Sequence, residues 1–473
     1  MKTPLLAQLL LAGCLTASAQ VTESTSGYYP IAGELLRAGL GGLGAYGMLE
    51  RLTSHAGHRL SGSAGADTAV ELAKRLMEER GFSGVHLEHI MVPRWERGTT
   101  EKAFIVIPGR ANIPVAVCAL GGSIATPAGG ISAGVVEVRS FEELEHLGTA
   151  ASGKIIFFNR PMDPSLLNTF EAYGGAVDQR SRGAIQGAKS GGVAVLVRSM
   201  TLAIDGVPHT GGMGYQDGVK KIPAAAISTR DAEKLSALLR GGEPIRARLL
   251  LSCRTLPDAP SANVAGEITG TERPGEVIVV GGHLDAWDKG SGAHDDGAGC
   301  VQAIEALDLI RTLGRTLGLK PVRTIRAVMF MNEENGLRGG RGYVADPLRR
   351  SEKHVAMIES DAGGFAPRGF FVDADSAVRT QVFRWKTVME KVNAGRLLAG
   401  RSGVDISPMV ATGVPGFGLD PENHRYFDYH HSDKDTPDKV NPRELEMGAI
   451  AEALLAYIIA QEGLPSEPAT RSR

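Results

Sequence analysis

Five short stretches of the chain gather side chains that bind divalent cations or move protons. They are His283-Leu284-Asp285, His294-Asp295-Asp296-Gly297, Asn332-Glu333-Glu334-Asn335, Glu359-Ser360-Asp361 and His430-His431-Ser432-Asp433-Lys434-Asp435. Each alone has an ordinary explanation: a buried His is commonly just hydrogen-bonded, a Glu pair is commonly a solvated helix face, and an Asp before Gly is commonly a turn or cap. Together they mean more, because like charges gathered out of water are costly unless a cation compensates them. Imidazole and carboxylate donors without a thiolate suit zinc, with cobalt or manganese as alternatives.

Three of these clusters end apolar, β-rich runs at 277–280, 324–331 and 355–359, and helical runs at 301–310 and 444–459 alternate with them. The expected fold class is α/β, with a doubly wound, mostly parallel sheet. Ligands of such sheets bind outside the carboxyl ends of the strands, where these polar residues fall. Upstream, 34–53 reads as a helical stretch and 66–80 as an amphipathic helix carrying Val70, Leu72, Leu76 and Met77 on one face. The region 114–254 has another texture: short apolar strands at 154–159, 193–197 and 222–228 alternate with Gly-rich turns, without a ligand cluster. It reads as an inserted domain between catalytic segments at 20–113 and 255–464. Two prolines and no periodicity make 255–261 read as the returning linker, and the polar tail at 465–473 is expected to be disordered.

Among the 473 residues, 51 Lys and Arg nearly balance 53 Asp and Glu, so no excess field draws a phosphate backbone and nucleic acid is excluded as a partner. Lys2, the apolar run 5–15 and Ala17-Ser18-Ala19 read as a secretory signal peptide spanning 1–19. Leu11-Ala12-Gly13-Cys14 also fits a bacterial lipobox, which would make Cys14 a lipidated first residue. No later stretch reaches the ~18 apolar residues of a membrane span. Cys118, Cys253 and Cys300 leave an odd count without paired spacing and read as structural thiols. Two further motifs fail on detail. Ala188 stands where a phosphate loop needs Gly before Lys189, and Gly130-Ile131-Ser132-Ala133-Gly134 is followed by the β-rich 135–138 where a nucleophile elbow needs a helix.

The ordered set resembles the co-catalytic zinc aminopeptidase family, and within it the carboxypeptidase Q branch. The resemblance runs over nearly the whole mature chain. It includes His58-Arg59-Leu60-Ser61-Gly62-Ser63, Trp95-Glu96-Arg97-Gly98, Pro208-His209-Thr210-Gly211 and Gly282-His283-Leu284-Asp285-Ala286-Trp287-Asp288, then the acidic and His clusters above. It implies two zinc ions per chain, one held by His283, Asp295 and Asp361 and the other by Glu334, His431 and the same Asp295. It further implies Glu333 as general base, Asp285 as the partner that orients His283, and a cis peptide between Asp295 and Asp296. His431 is preferred to His430 because Asp435 follows it by four residues, as in the family pattern. His294 would stand near the metals without binding them, and Asp405 and His209 are candidates for substrate contact. The insert would be a protease-associated domain. The implied protein is a secreted or periplasmic dizinc exopeptidase that cleaves dipeptides or short unblocked peptides and forms a homodimer. The competing readings are a broader aminopeptidase and a noncatalytic receptor on the same fold. A complete donor set and a general base count against the receptor.

Overall fold

The computed structural model describes residues 26–242 and 244–465. The expected leader at 1–19, Cys14 and all but the first residue of the tail therefore lie outside the described residues. Among the described residues, no helix is long and apolar enough to cross a membrane, and Cys118, Cys253 and Cys300 are free and buried.

The strands form two mixed sheets of eight. At the centre of the first, Arg323–Phe330, Arg273–His283, Lys353–Glu359 and Gly416–Pro421 run parallel in that order. Their residues alternate between two cores. Ile278, Val280, Ile325 and Ala327 pack with the long helices Ala298–Thr316 and Pro442–Glu462, while Val277, Val279, Val328 and Phe330 pack with Tyr343, Ile406 and Met409 on the other face. Two covered faces explain the near-continuous apolar runs of these strands, in which the buried Arg326 is balanced by Glu267 and Glu352. The flanks add antiparallel pairs, and one further parallel pair, Pro367–Asp373 with Arg396–Ala399, closes one edge, so the sheet is mixed.

Two local expectations differ from what forms. The helical stretch at 34–53 is two helices, Tyr29–Gly42 and Gly44–Ala56, broken at Leu43, which is left-handed at φ 50°. Glycines at 41, 42 and 44 weaken the helix there. The stretch 255–261 is no linker: it is the first half of the strand Arg254–Ile268, antiparallel to Ser83–Glu96. Its prolines are tolerated because this half has a neighbour on one side only, pairing with Arg323–Phe330 beginning at Val264. Pro257 also falls in the register break between Val92 and Arg94. Prolines belong on such open edges and bulges, where no ladder N–H is needed. The amphipathic helix forms as Ala64–Glu79, capped by the Ser63 side chain, which accepts from the Ala66 N–H.

The second sheet takes its strands from Glu101–Val106 to Arg246–Leu251, so its first strand precedes residue 114 and its second, Ile113–Val115, straddles it. Arg97 ties the two units together. Its guanidinium donates to both Asp288 oxygens at 2.9 and 2.5 Å, to Glu101 at 2.9 Å, to the Ala119 carbonyl at 2.6 Å and to the Thr210 hydroxyl at 3.1 Å.

Arg59 performs a similar service inside the first unit. Fully buried, it donates to the carbonyls of Leu284 (2.5 Å), Ser291 (2.5 Å) and Gly292 (2.8 Å), bracing the loop that runs from His283 to Asp295. Arg59→Met would strand three carbonyls, those of Leu284 and Gly292 buried and that of Ser291 half-buried, at about 1–3 kcal/mol each. The expected loss of unfolding free energy in urea is about 3 kcal/mol or more, and a change under about 1 kcal/mol would show that the loop is braced elsewhere.

Candidate metal centre

The carboxyl ends of the central strands coincide. His283 is the last residue of its strand and lies opposite Phe330, two residues before Asn332, and Gly281 lies opposite Glu359. The His283 Nδ1 is 2.9 Å from the Asp285 carbonyl, which can only accept, so Nδ1 carries the proton. The other ring nitrogen, Nε2, then presents a lone pair 3.2 Å from Asp295 Oδ1 and 3.5 Å from Asp361 Oδ1. On the far side of the same carboxylate, Asp295 Oδ2 faces His431 Nε2 at 3.2 Å, and that nitrogen is 3.0 Å from Glu334 Oε2. Asp295 Oδ2 is buried and accepts no aligned hydrogen bond. Lone pairs facing lone pairs at this spacing fit a cation between them, and the donor types fit zinc. His283, Asp295 and Asp361 form one group able to hold a metal; Asp295, His430 and His431 form another. His430 Nε2 is farther from Asp295, at 3.8 Å, with its ring stacked 3.5 Å from that of His431.

Electrostatics agree with that fit. Burial pushes Glu334 up to about 7, with Asp295 adding to it. Burial also raises Asp361, and it lifts Glu333 well above its ordinary value against the attraction of His283, with Asp361, Glu334 and Asp295 adding to the rise. Burial opposes protonation of His431, but Glu334 and Asp295 prevail and hold the imidazole up at about 9. Protons thus stand in for the positive charge that this collection of oxygens requires.

Other carboxylates serve the backbone. Asp285 Oδ1 accepts the N–H groups of Asn332 (2.7 Å) and Glu333 (3.0 Å), fixing the turn that carries Glu333 and Glu334. Asp285 touches the His283 ring through its carbonyl; its carboxylate lies 3.9 Å from Nδ1. Asp296 accepts from the His283 N–H (3.1 Å) and from the Gly299 N–H (2.9 Å), joining the strand end to the start of the following helix. Gly299 has no room for a Cβ, which would collide with the Ser360 carbonyl and the Asp296 carboxylate. The Asp295-Asp296 peptide is cis, as the resemblance implies. Asp435 accepts from the N–H groups of His294 (2.7 Å) and Asp295 (3.1 Å). Sequence reasoning gave Asp296, Asp435, Glu359 and Arg59 no such positioning roles. An Asp just before a Gly-Ala-Gly helix start could have flagged Asp296 as a cap. Nothing local could have flagged Glu359, whose partners are the distant Val404 and Ile406 N–H groups.

The remaining candidates divide. His294 stacks on the rings of Phe365 and Tyr429, with Nδ1 accepting the Gly364 N–H at 3.2 Å and Nε2 3.3 Å from the Lys439 carbonyl. Both of its nitrogens face protein, away from the paired groups. His209 reaches the His430 carbonyl through Nδ1 at 2.7 Å. Asp405 is buried with neither carboxylate oxygen partnered. A cavity of about 980 Å³ opens beside Asp361, lined by Glu359, Phe371, Gly403 and Val404 from one unit and by Asn168 and Phe170 from the other.

An α/β fold with paired His and carboxylate groups at the strand ends defines a metallopeptidase, and the chain belongs to peptidase family M28, whose model matches residues 263–458. Within that family its relatives include carboxypeptidase Q of Bos taurus, 37% identical over 423 residues that cover 89% of this chain and 86% of that protein. Carboxypeptidase Q of Homo sapiens is 36% identical over the same length. Among solved structures, a peptidase M28 precursor from Shewanella amazonensis superposes with a TM-score of 0.88 at 34% identity, covering 94% of this chain and 99% of that one.

The titrations carry a metal prediction. Glu334, held at about 7, and His431, held at about 9, must each release a proton before binding a cation. Zinc affinity should therefore rise with pH, weakening by about tenfold per unit for each proton displaced below about pH 7. Competition with a chromophoric chelator between about pH 6 and about pH 8 measures this; a flat profile would remove these two side chains from the metal site.

Proposed function

We propose that the protein is a zinc metallo-exopeptidase that hydrolyses dipeptides or short peptides with free ends, as the carboxypeptidase Q resemblance implies. The observation that carries this reading is Asp295, one carboxylate offering an oxygen to each of two donor groups. His283, Asp361 and Asp295 would hold one zinc, and Glu334, His431 and Asp295 a second. Zinc bound there supplies Lewis acidity toward the scissile carbonyl and lowers the pKa of water.

The protein's own residues do the rest. Glu333 adjoins Glu334 but belongs to neither group, and the Asp285 carboxylate fixes its backbone N–H. It takes a proton from the attacking water and returns it to the leaving nitrogen. Trp287 donates its backbone N–H to Glu334 Oε1 at 3.1 Å, leaving the other oxygen toward His431. The second sheet is read as a protease-associated domain that walls the site. The enzyme is read as secreted or periplasmic, which the leader-like first nineteen residues support, and as a homodimer, which the resemblance to carboxypeptidase Q supports. A receptor that had lost catalysis would have no use for a complete donor set beside a carboxylate free to act as base.

Two substitutions separate the roles. Glu333→Ala should keep its zinc by elemental analysis and lose about 10²–10⁴-fold in turnover of an unblocked dipeptide. Asp295→Ala should lose zinc and activity together. Normal turnover by Glu333→Ala would remove the base, and full zinc content in Asp295→Ala would remove the shared ligand.

A further inference from the structure

Seven arginines are buried among the described residues, and one of them meets neither a carboxylate nor a set of backbone carbonyls. Arg97, Arg198, Arg323, Arg326 and Arg349 each form an ion pair with an Asp or Glu, and Arg59 meets three carbonyls. Arg180, only 8% exposed, makes no ion pair with a carboxylate. It comes from the short helix Asp178–Ser181 of the second unit and sits against the metal centre. Its Nη2 donates to the Tyr173 hydroxyl at 2.7 Å, its Nη1 is 3.4 Å from His431 Nδ1, and its Nε is buried without any hydrogen-bond partner.

The surroundings are shaped to admit it. At Gly211, where φ is 126°, a Cβ would lie 2.5 Å from Arg180 Cζ and 2.7 Å from His431 Nδ1, so only glycine lets the guanidinium approach the imidazole. Tyr173 is itself locked, its ring stacked at 4.7 Å on Phe427. An unpaired buried cation is costly unless something anionic arrives. The acidic residues nearby do not fill that need, because two divalent cations on Asp295, Asp361 and Glu334 would more than offset those three carboxylates.

We infer that Arg180 is a specificity-determining residue that binds the free C-terminal carboxylate of the peptide substrate, so that the second unit completes the active site. This rests on the exopeptidase reading above. The reach is right for a short leaving group. His431 turns Nε2 to the donor groups and Nδ1 to Arg180, so the guanidinium stands one imidazole away from the metal position. One residue of extended chain spans about 3.5 Å, which places a carboxylate one residue beyond the scissile bond within its range. A planar guanidinium with a spare Nε–H suits the two oxygens of that carboxylate.

The test compares alanylalanine with its C-terminal amide, using zinc-loaded protein. Arg180→Met should lose about 10²-fold in kcat/KM on the acid, mostly through KM, yet stay within about threefold on the amide. Arg180→Lys, which keeps the charge, should retain part of the preference. Equal losses on acid and amide, or loss of zinc from Arg180→Met, would reduce Arg180 to a support for His431 and overturn the inference. Binding of the same pair to Glu333→Ala by calorimetry gives a readout without turnover. Preference for the acid that disappears when Arg180→Met is added supports the inference even if the wild-type protein cleaves neither compound, a result that would sink the exopeptidase reading alone. Equal binding of acid and amide before that change overturns it.

Discussion

Carboxylates buried together repel, and at the carboxyl edge of the first sheet this chain collects Asp285, Asp295, Asp296, Glu334, Glu359 and Asp361. The structure handles them in two ways. Asp285, Asp296 and Glu359 accept backbone N–H groups, which stabilises charge by fixed dipoles while holding loops in place. Asp295, Glu334 and Asp361 instead turn oxygens toward imidazole nitrogens, where a cation is the natural partner. The first set thereby positions the second. Removing a backbone-directed carboxylate would shift a ligand without touching it, so the two sets form one device.

The backbone around this device is correspondingly constrained. Asn332 and His431 both adopt left-handed conformations, at φ 77° and 60°, which non-glycine residues enter only when their surroundings compel it. For Asn332 the compulsion is visible: its N–H goes to Asp285, and its side-chain amide meets the Ser61 hydroxyl at 2.8 Å. For His431 it comes from the second unit, whose Thr210 N–H donates to the His431 carbonyl at 2.9 Å while His209 takes the carbonyl before it. A loop of one unit therefore sets the orientation of an imidazole in the other.

Much of this was legible in the sequence, and the division has physical causes. The strands ending at His283 and Glu359 could be found because buried parallel strands are continuously apolar and stop abruptly at polar residues. The helix Ala64–Glu79 could be found from its apolar spacing, although its start, set by the Ser63 cap, lies two residues before the 66 that the spacing marked. The strand through 254–261 was hidden because prolines mark a turn only when both sides of the strand must pair, and pairing is a property of the sheet, invisible in the segment. The break at Leu43 was hidden because the glycines around it lower helix propensity without dictating where the chain turns. In the site, the ligand-type residues announced themselves by clustering. Arg180 did not: it lies 251 residues from His431, in a region whose texture gave no chemistry, and its importance comes from what the fold leaves it without.

The position of that arginine follows in turn from how the second unit is attached. The chain leaves the first sheet just after Glu96 and returns at Arg254, and these two residues face each other in the antiparallel pair that precedes the second sheet. Arg254 donates to Glu96 through both Nε and Nη2, at 2.8 and 2.6 Å, closing the stem. A paired stem costs the first sheet nothing in register, since entry and exit occupy adjacent strands. It would still permit a hinge, were it not for Arg97 one residue later, which reaches forward to Asp288 on the loop between His283 and Asp295 and sideways to Ala119 and Thr210. With the stem and this clamp in series, together with the edge-to-face contact of Trp95 and Trp287, the second unit is fixed relative to the loop from His283 to Asp295. Its Arg180 can then be placed against His431 with the accuracy that recognition of a small carboxylate requires.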